Sequence, residues 1–197
     1  MCEMRIAIVT SNAGKYATIC DHFSGLPVDL EMVDMNIPEI QSADVGEIAL
    51  AKAQSAFTKL QSPILVEDSG FYIDALRGYP GPYVKHVLQT VGIDGILKLM
   101  TGVKDRRCSF KSAVVFIGYD GMAHVFLDNS SVGSVAEKPG RLENVGWSEL
   151  WRIFVPEAHS ATLAEMSGNE RGLLMKEWRR GSAFTAARRV IEASIHL

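Results

Sequence analysis

The sequence predicts a mixed α/β fold, and two features of its pattern carry that reading. Early in the chain, short β-branched apolar runs alternate with helical stripes, as in parallel strands joined by helices. In the middle, two strand-like runs meet at Asp120-Gly121, a hairpin signal, so antiparallel pairs are expected beside the parallel ones. Composition agrees. Of 197 residues, 47% are hydrophobic and 22% charged, which suits a chain with a sizeable core and excludes a disordered, collagen-like or coiled-coil protein.

Met4 to Thr10 reads as a buried first strand, bounded by Ser-Asn-Ala-Gly. Gly14 to Phe23 carries Tyr16, Ile19, Cys20 and Phe23 at helical spacing, and Val28 to Met35 alternates as a second strand. Pro38 to Asp44 is a polar connection. Val45, Ile48, Ala49, Ala53, Ala56, Phe57 and Leu60 then form one helical stripe, predicting a helix over 45–60. Pro63 to Val66 is a buried strand expected to deliver Glu67-Asp68-Ser69-Gly70 at its C-terminal end, with Phe71 to Leu76 continuing as strand. Gly78 to Pro82 is a loop, followed by helices over Tyr83–Val91 and Ile93–Met100. Cys108–Tyr119 and Met122–Asp128 form the hairpin, with a separate strand over Val132–Ala136. Lys138–Gly146 is loop, Arg152–Val155 a short strand ended by Pro156, and Asn169–Ile195 a mostly helical tail. The chain shows neither repeats nor an obvious linker, so 1–197 reads as a single domain.

The formal net charge is −3, which gives no global drive toward nucleic acid or an anionic membrane. A phosphate-handling site would need a local cluster of Lys and Arg. Cys2, Cys20 and Cys108 are far apart, odd in number and without a CxxC pair, and the five histidines form no HxH or HxxxH. Neither a disulfide framework nor a Cys- or His-based metal site is expected, and a reducing cytosol is favoured. The longest apolar run, Ala113 to Ile117, is too short to span a bilayer, and the first residues lead straight into a strand rather than a secretory leader.

Four places can carry chemistry. Thr10-Ser11-Asn12-Ala13-Gly14-Lys15 joins the first strand to a helix, where small side chains, hydroxyls, free amides and a lysine can hold an anion. It is not a P-loop, since Lys15 is followed by Tyr16, and an ordinary Asn- or Ser-capped turn explains it as well. Glu67-Asp68-Ser69-Gly70 places two carboxylates where open α/β sheets bind ligands, and carboxylate oxygens suit Mg²⁺. A solvated turn is the plain alternative. Glu39 gains interest as a second oxygen donor beside Asp68. Lys52 shares the inward stripe of its helix, pointing into a phosphate cleft or snorkelling at the edge. Lys85 follows the Gly/Pro-rich loop that could hold it in place. Trp147, Trp151 and Trp178 read first as core residues, and Arg179-Arg180 and Arg188-Arg189 as the solvated face of the last helix.

Together these pieces resemble one family. Thr10-Ser11-Asn12 with Lys15, Pro38-Glu39-Ile40-Gln41, Ile48-Ala49 with Lys52-Ala53, Val66-Glu67-Asp68-Ser69-Gly70 and Gly78-Tyr79-Pro80-Gly81-Pro82-Tyr83-Val84-Lys85 occur in the order and spacing of the inosine/xanthosine triphosphate pyrophosphatases. The resemblance implies a long mixed sheet in two lobes, with helices on both faces and a cleft between the lobes. It implies a cytoplasmic, Mg²⁺-dependent homodimer that cuts non-standard purine nucleoside triphosphates (ITP, dITP, XTP) to monophosphate and pyrophosphate, with neither nucleic acid nor membrane as partner. By position, Asp68 takes the role of base and metal ligand and Glu39 that of its metal partner. Thr10, Ser11, Asn12, Lys15, Lys52, Ser69 and Lys85 take substrate-contacting roles.

The C-terminal part departs from that pattern. Gly146-Trp147 is followed by Ser148-Glu149 instead of the family's Asp-Pro, Glu170-Arg171-Gly172 stands for Glu-Lys-Asn, and Met175-Lys176-Glu177 falls where Ser-His-Arg is expected. Trp147 and Arg171 are therefore the candidates for base contact. A relaxed or shifted base selectivity is expected, with Trp147 stacking on the base. The alternatives are a pyrophosphatase for another modified base and a nucleotide-binding protein without turnover.

Overall fold

A computed structural model of the chain describes residues 4–141 and 148–195. Its seven-stranded mixed sheet runs in the order β2-β1-β3-β5-β6-β7, with the short β4 on β3. β1 (Met4–Val9) pairs in parallel with β2 (Val28–Val33) and with β3 (Ile64–Ile73), in the register Ala7 to Ile64 and Ile8 to Leu65. β4 (Pro80–Gly81) pairs antiparallel with β3, and β7 (Phe154–Pro156) with β6 (Ala123–Val135). β5 (Arg107–Ile117) turns into β6 through Gly118–Met122. Gly121 there has φ 73°, and the Asp120 carboxylate accepts from the Met122 amide. The mixed α/β expectation therefore holds, with parallel pairs first and antiparallel pairs after.

The chain clusters into two compact units. One comprises the residues through Ser69, Ser112–Asp128 and the chain from Gly181 on. The other comprises Gly70–Lys111 and Asn129–Arg180. In the first, Ile6, Ile8, Leu65, Val114 and Phe116 of the sheet meet Ile19 and Phe23 of α1 (Ala13–Phe23) and Ala183, Ala187 and Ile191 of α6 (Ala183–Ser194). Strand residues alternate between faces, so Ala7, Val9, Ile64 and Val66, also buried, point the other way. α2 (Val45–Leu60) lies on that side. A Cβ on its Gly46 would stand 3.1 Å from Leu127, whose neighbour Phe126 packs toward α1 and α6. In the second unit, Phe71, Ile73, Val135 and Phe154 of the sheet pack with Val87 of α3 (Val84–Thr90), Ile93 and Ile96 of α4 (Gly92–Leu99) and Leu174 of α5 (Gly168–Arg179).

Three expectations need correction. Glu67-Asp68-Ser69-Gly70 is not at the end of a strand; it is the middle of the ten-residue β3. Asp-Ser-Gly has turn chemistry, but here Gly70 is required for close approach: a Cβ on it would fall 2.6 Å from the Gly81 carbonyl and break the β3–β4 pairing. Val132–Ala136 is not a separate strand but the continuation of β6 through Val135. Arg188 is only half-exposed and is engaged within the fold. Its Nη1 donates to the carbonyls of His22 at 2.7 Å and Ser24 at 3.0 Å, closing the C-terminus of α1. The helical tail breaks into α5 and α6, and Ser182 caps the second. Among the described residues, no helix is long and apolar enough to cross a membrane.

Candidate active site

The site grows from the exit of β1. The Thr10 hydroxyl accepts from the Asn12 amide at 3.1 Å, and Asn12 is the N-cap of α1, its Oδ1 accepting from the amides of Gly14 at 2.9 Å and Lys15 at 3.1 Å. The plain reading of this turn as an Asn-capped helix start is thus correct, and two of the amides that could have met an anion are already engaged. The cap also sets the direction in which Lys15 leaves the helix. Ser11 is exposed.

Among the described residues, the pairing of β3 with β1 ends at Leu65. Leu65 faces α1, so Glu67 and Ser69 share its face while Asp68 takes the face of Val66 and α2. Lys15 comes from α1 onto the first of these faces. Its ammonium lies 2.7 Å from Glu67 Oε2 and donates to Ser69 Oγ at 3.1 Å. Glu67 is nearly buried, its side chain 9% exposed. Among the described residues its Oε2 receives no hydrogen bond of proper geometry, so the Lys15 ammonium holds it by charge.

Lys52 sits among the buried Ile48, Ala49, Ala53 and Ala56 of α2, and its ammonium reaches Glu39 Oε1 at 3.3 Å. Its side chain is 20% exposed and its partner Glu39 60%, and its charge lowers the pKa of Asp68. Burial pushes the Asp68 acid above the usual carboxylate range and Glu67 adds to this. Lys15, Lys52 and the Ser69 amide, which donates to Asp68 Oδ1 at 2.8 Å, pull it back only partly. Burial pulls the Lys15 ammonium down, but Glu67, Asp68 and Glu39 outweigh it, and its pKa lies above the ordinary lysine value. Glu39, Lys52, Lys15, Glu67 and Asp68 thus form one electrostatic group, supplied by α1, the loop before α2, α2 and β3. Among the described residues no three acids, histidines or cysteines gather into a metal cage. The protein offers hard carboxylate oxygens in a small number, a donor set that leaves most of an ion's coordination to water and substrate, as Mg²⁺ requires.

The remaining candidates lie elsewhere. Lys85 is exposed in the first turn of α3. Arg171 of α5 donates from Nη1 to the carbonyls of Leu163 and Met166, both at 3.1 Å, and its guanidinium lies over the Trp151 ring at 5.6 Å. Trp151 is buried, and Trp178 packs against the same core, as expected of core tryptophans. Trp147 lies outside the described residues. The sequence offered Glu67 only as one of two adjacent carboxylates; its pairing with Lys15 follows from the strand parity it shares with Ser69.

The Ham1 family model matches residues 6–189 of the chain. The dITP/XTP pyrophosphatase of Thermococcus kodakarensis is 36% identical over 168 residues, 85% of this chain and 88% of that protein. That of Methanopyrus kandleri is 36% identical over 168 residues, 85% and 87% of the two chains. Among solved structures, the nucleoside-triphosphatase / dITP/XTP pyrophosphatase of Mycobacterium abscessus superposes with a TM-score of 0.75 at 23% identity. It covers 89% of this chain and 96% of its own, a likeness of fold.

Proposed function

Since the chain belongs to the Ham1 family, we infer that it is a nucleoside triphosphate pyrophosphatase, and we propose that it hydrolyses non-standard purine triphosphates such as dITP, ITP and XTP to the monophosphate and pyrophosphate. The observation that carries the reading is the gathering of two lysines from two helices among three acids: Lys15 lies 2.7 Å from Glu67, Lys52 lies 3.3 Å from Glu39, and both ammonium groups lower the pKa of the half-buried Asp68. Two ammonium groups around an acid on a strand suit a polyanion better than they suit packing.

In this reading Asp68 takes the proton of the attacking water. Burial raises its pKa and makes it a better base than a free carboxylate. Lys15 and Lys52 offset charge that moves onto the leaving pyrophosphate, and the Ser69 and Thr10 hydroxyls and Asn12 orient phosphate oxygens. Asp68 and Glu39 would hold Mg²⁺, which when bound polarises a phosphoryl oxygen. Lys85, Arg171 and Trp147 are proposed to serve the distal parts of the substrate, Trp147 by stacking on a base. Family resemblance further supports a cytosolic homodimer.

The test is a panel of dITP, XTP, ATP and GTP with Mg²⁺, read as pyrophosphate released. Pyrophosphate from dITP and XTP well above that from ATP and GTP is expected. Similar rates on all four would be the relaxed base selectivity that the divergent C-terminal segment predicts. Binding without pyrophosphate from any substrate would overturn the enzyme reading.

A further inference from the structure

We propose that Glu67 is a positioning residue: held off the substrate on the α1 face of β3, it clamps the Lys15 ammonium at Ser69 so that the charge is already aimed when a triphosphate arrives. The inference rests on the functional reading above and extends it to a residue that this reading leaves idle. Lys15 is fixed at both ends. Its amide donates to Asn12 Oδ1 at 3.1 Å, while its ammonium is 2.7 Å from Glu67 Oε2 and 3.1 Å from Ser69 Oγ. A lysine stem ordinarily samples many rotamers and loses them only at an entropic cost, so a stem ordered in advance spares that cost at the moment of reaction.

Packing alone does not explain Glu67. Its side chain is 9% exposed, against 22% for Lys15, so the acid lies deeper than the base it holds. A buried ion pair seldom stabilises a fold more than an apolar pair of the same shape. Among the described residues, Glu67 Oε2 receives no well-angled hydrogen bond. What remains is its charge, 2.7 Å from the ammonium of a lysine whose side chain is 22% exposed. Glu67 also points to the opposite face from Asp68, because they are neighbours on one extended strand. The two acids therefore divide the work: Asp68 faces α2 and the Lys52–Glu39 pair, and Glu67 faces Lys15.

The experiment is a double-mutant cycle on dITP hydrolysis with Glu67→Gln, Lys15→Met and the double variant, each checked for folding by thermal unfolding. Glu67→Gln keeps the shape and removes the charge. It should lower kcat by roughly 10- to 100-fold while KM changes little, because the lysine is still cationic but no longer aimed. In the Lys15→Met background it should lower kcat no further. Losses that multiply in the double variant, or an unchanged kcat in Glu67→Gln, would overturn the proposal. A drop in Tm with normal kcat per folded molecule would assign Glu67 a structural role instead. Calorimetric titration with Mn²⁺ should give the same affinity for wild type and Glu67→Gln; a weakened affinity would make Glu67 a metal ligand and refute the positioning role. The clamp itself is read without turnover, as an ordered Lys15 ammonium signal in ¹⁵N NMR, assigned by its loss in Lys15→Met. It should disappear in Glu67→Gln, and its persistence would refute the clamp even if the wild-type protein released no pyrophosphate, an outcome that would overturn the functional reading separately.

Discussion

Lys52→Met separates stabilising charge from working charge. The Lys52–Glu39 contact spans 3.3 Å with side chains 20% and 60% exposed. At that distance the attraction is about 1.3 kcal/mol in a water-like dielectric, and screening and the ordering of two stems reduce it into the roughly 0–1 kcal/mol range of surface pairs. Met keeps the apolar stem among Ile48, Ala49, Ala53 and Ala56. For a chain of this size, about 1 kcal/mol moves Tm by only about 2–4 °C. Loss of one electrostatic donor to a phosphoryl transition state, by contrast, typically lowers the rate by about 10²–10³. The variant should therefore unfold within a few degrees of the wild type and lose about 10²–10³ in kcat/KM. A second signature follows from Asp68. Lys52 pulls the pKa of this acid down, so removing it lets the pKa rise, and the acid limb of the pH–rate profile moves to higher pH. Thermal unfolding and kcat/KM across pH 5–9 are the assays. A full-activity variant with an unshifted acid limb would refute the reasoning and leave Lys52 as a snorkelling residue.

Asp68→Asn should abolish hydrolysis without destabilising the fold. The folded-state pKa of Asp68 is raised by burial, so its contribution to stability is fully present below the unfolded value, about 3.9, and is lost as pH rises through the folded value. The Asn variant should therefore match or exceed the wild-type Tm near neutrality; a large fall in Tm would show that the ionised carboxylate holds the fold. Arg188→Met removes the charged donor to the His22 and Ser24 carbonyls and should cost about 2 kcal/mol, or roughly 4–8 °C in Tm, with kcat unchanged; a kcat loss in folded protein would tie α6 to the chemistry. Cys108 is 3% exposed, and burial holds its thiol far above the ordinary cysteine range, so thiol labelling of the native protein mapped by mass should leave it unmodified while Cys20 reacts. Labelling of Cys108 at the rate of Cys20 would contradict its burial.

The legible elements were those in which local chemistry and tertiary packing agree. The α2 boundaries follow from the Asp44 cap, the apolar stripe and the left-handed Gln61 that ends the helix, all local signals. The turn at Asp120-Gly121 follows from a glycine with φ 73°. β3 was misread where the two disagree. Asp-Ser-Gly favours a turn, but residues 67–70 lie extended inside β3, and the contact that requires Gly70, with the Gly81 carbonyl eleven residues on, is invisible in a local window. For the same reason the role of Arg188 could not be read from its own helix. Its acceptors are in α1, more than 160 positions away.

The extended course of β3 bears on how its two adjacent acids can act. In a turn, the side chains of Glu67 and Asp68 could converge on one ion, and the pair would serve as a joint metal site. In an extended strand they must diverge, because neighbouring side chains leave opposite faces. The lysines were legible from their positions alone: Lys15 begins a helix after β1, and Lys52 lies on the buried stripe of α2. Which acid each serves was not, since that depends on the strand between them. Once β3 is extended, Glu67 falls to Lys15, Asp68 faces the side of Lys52, and Glu39 is the acid that reaches Lys52 directly. The divergence leaves Asp68 without a neighbouring carboxylate on its own face of β3, which is why Glu39 is the acid proposed to share a metal ion with it, while Glu67 pairs with Lys15.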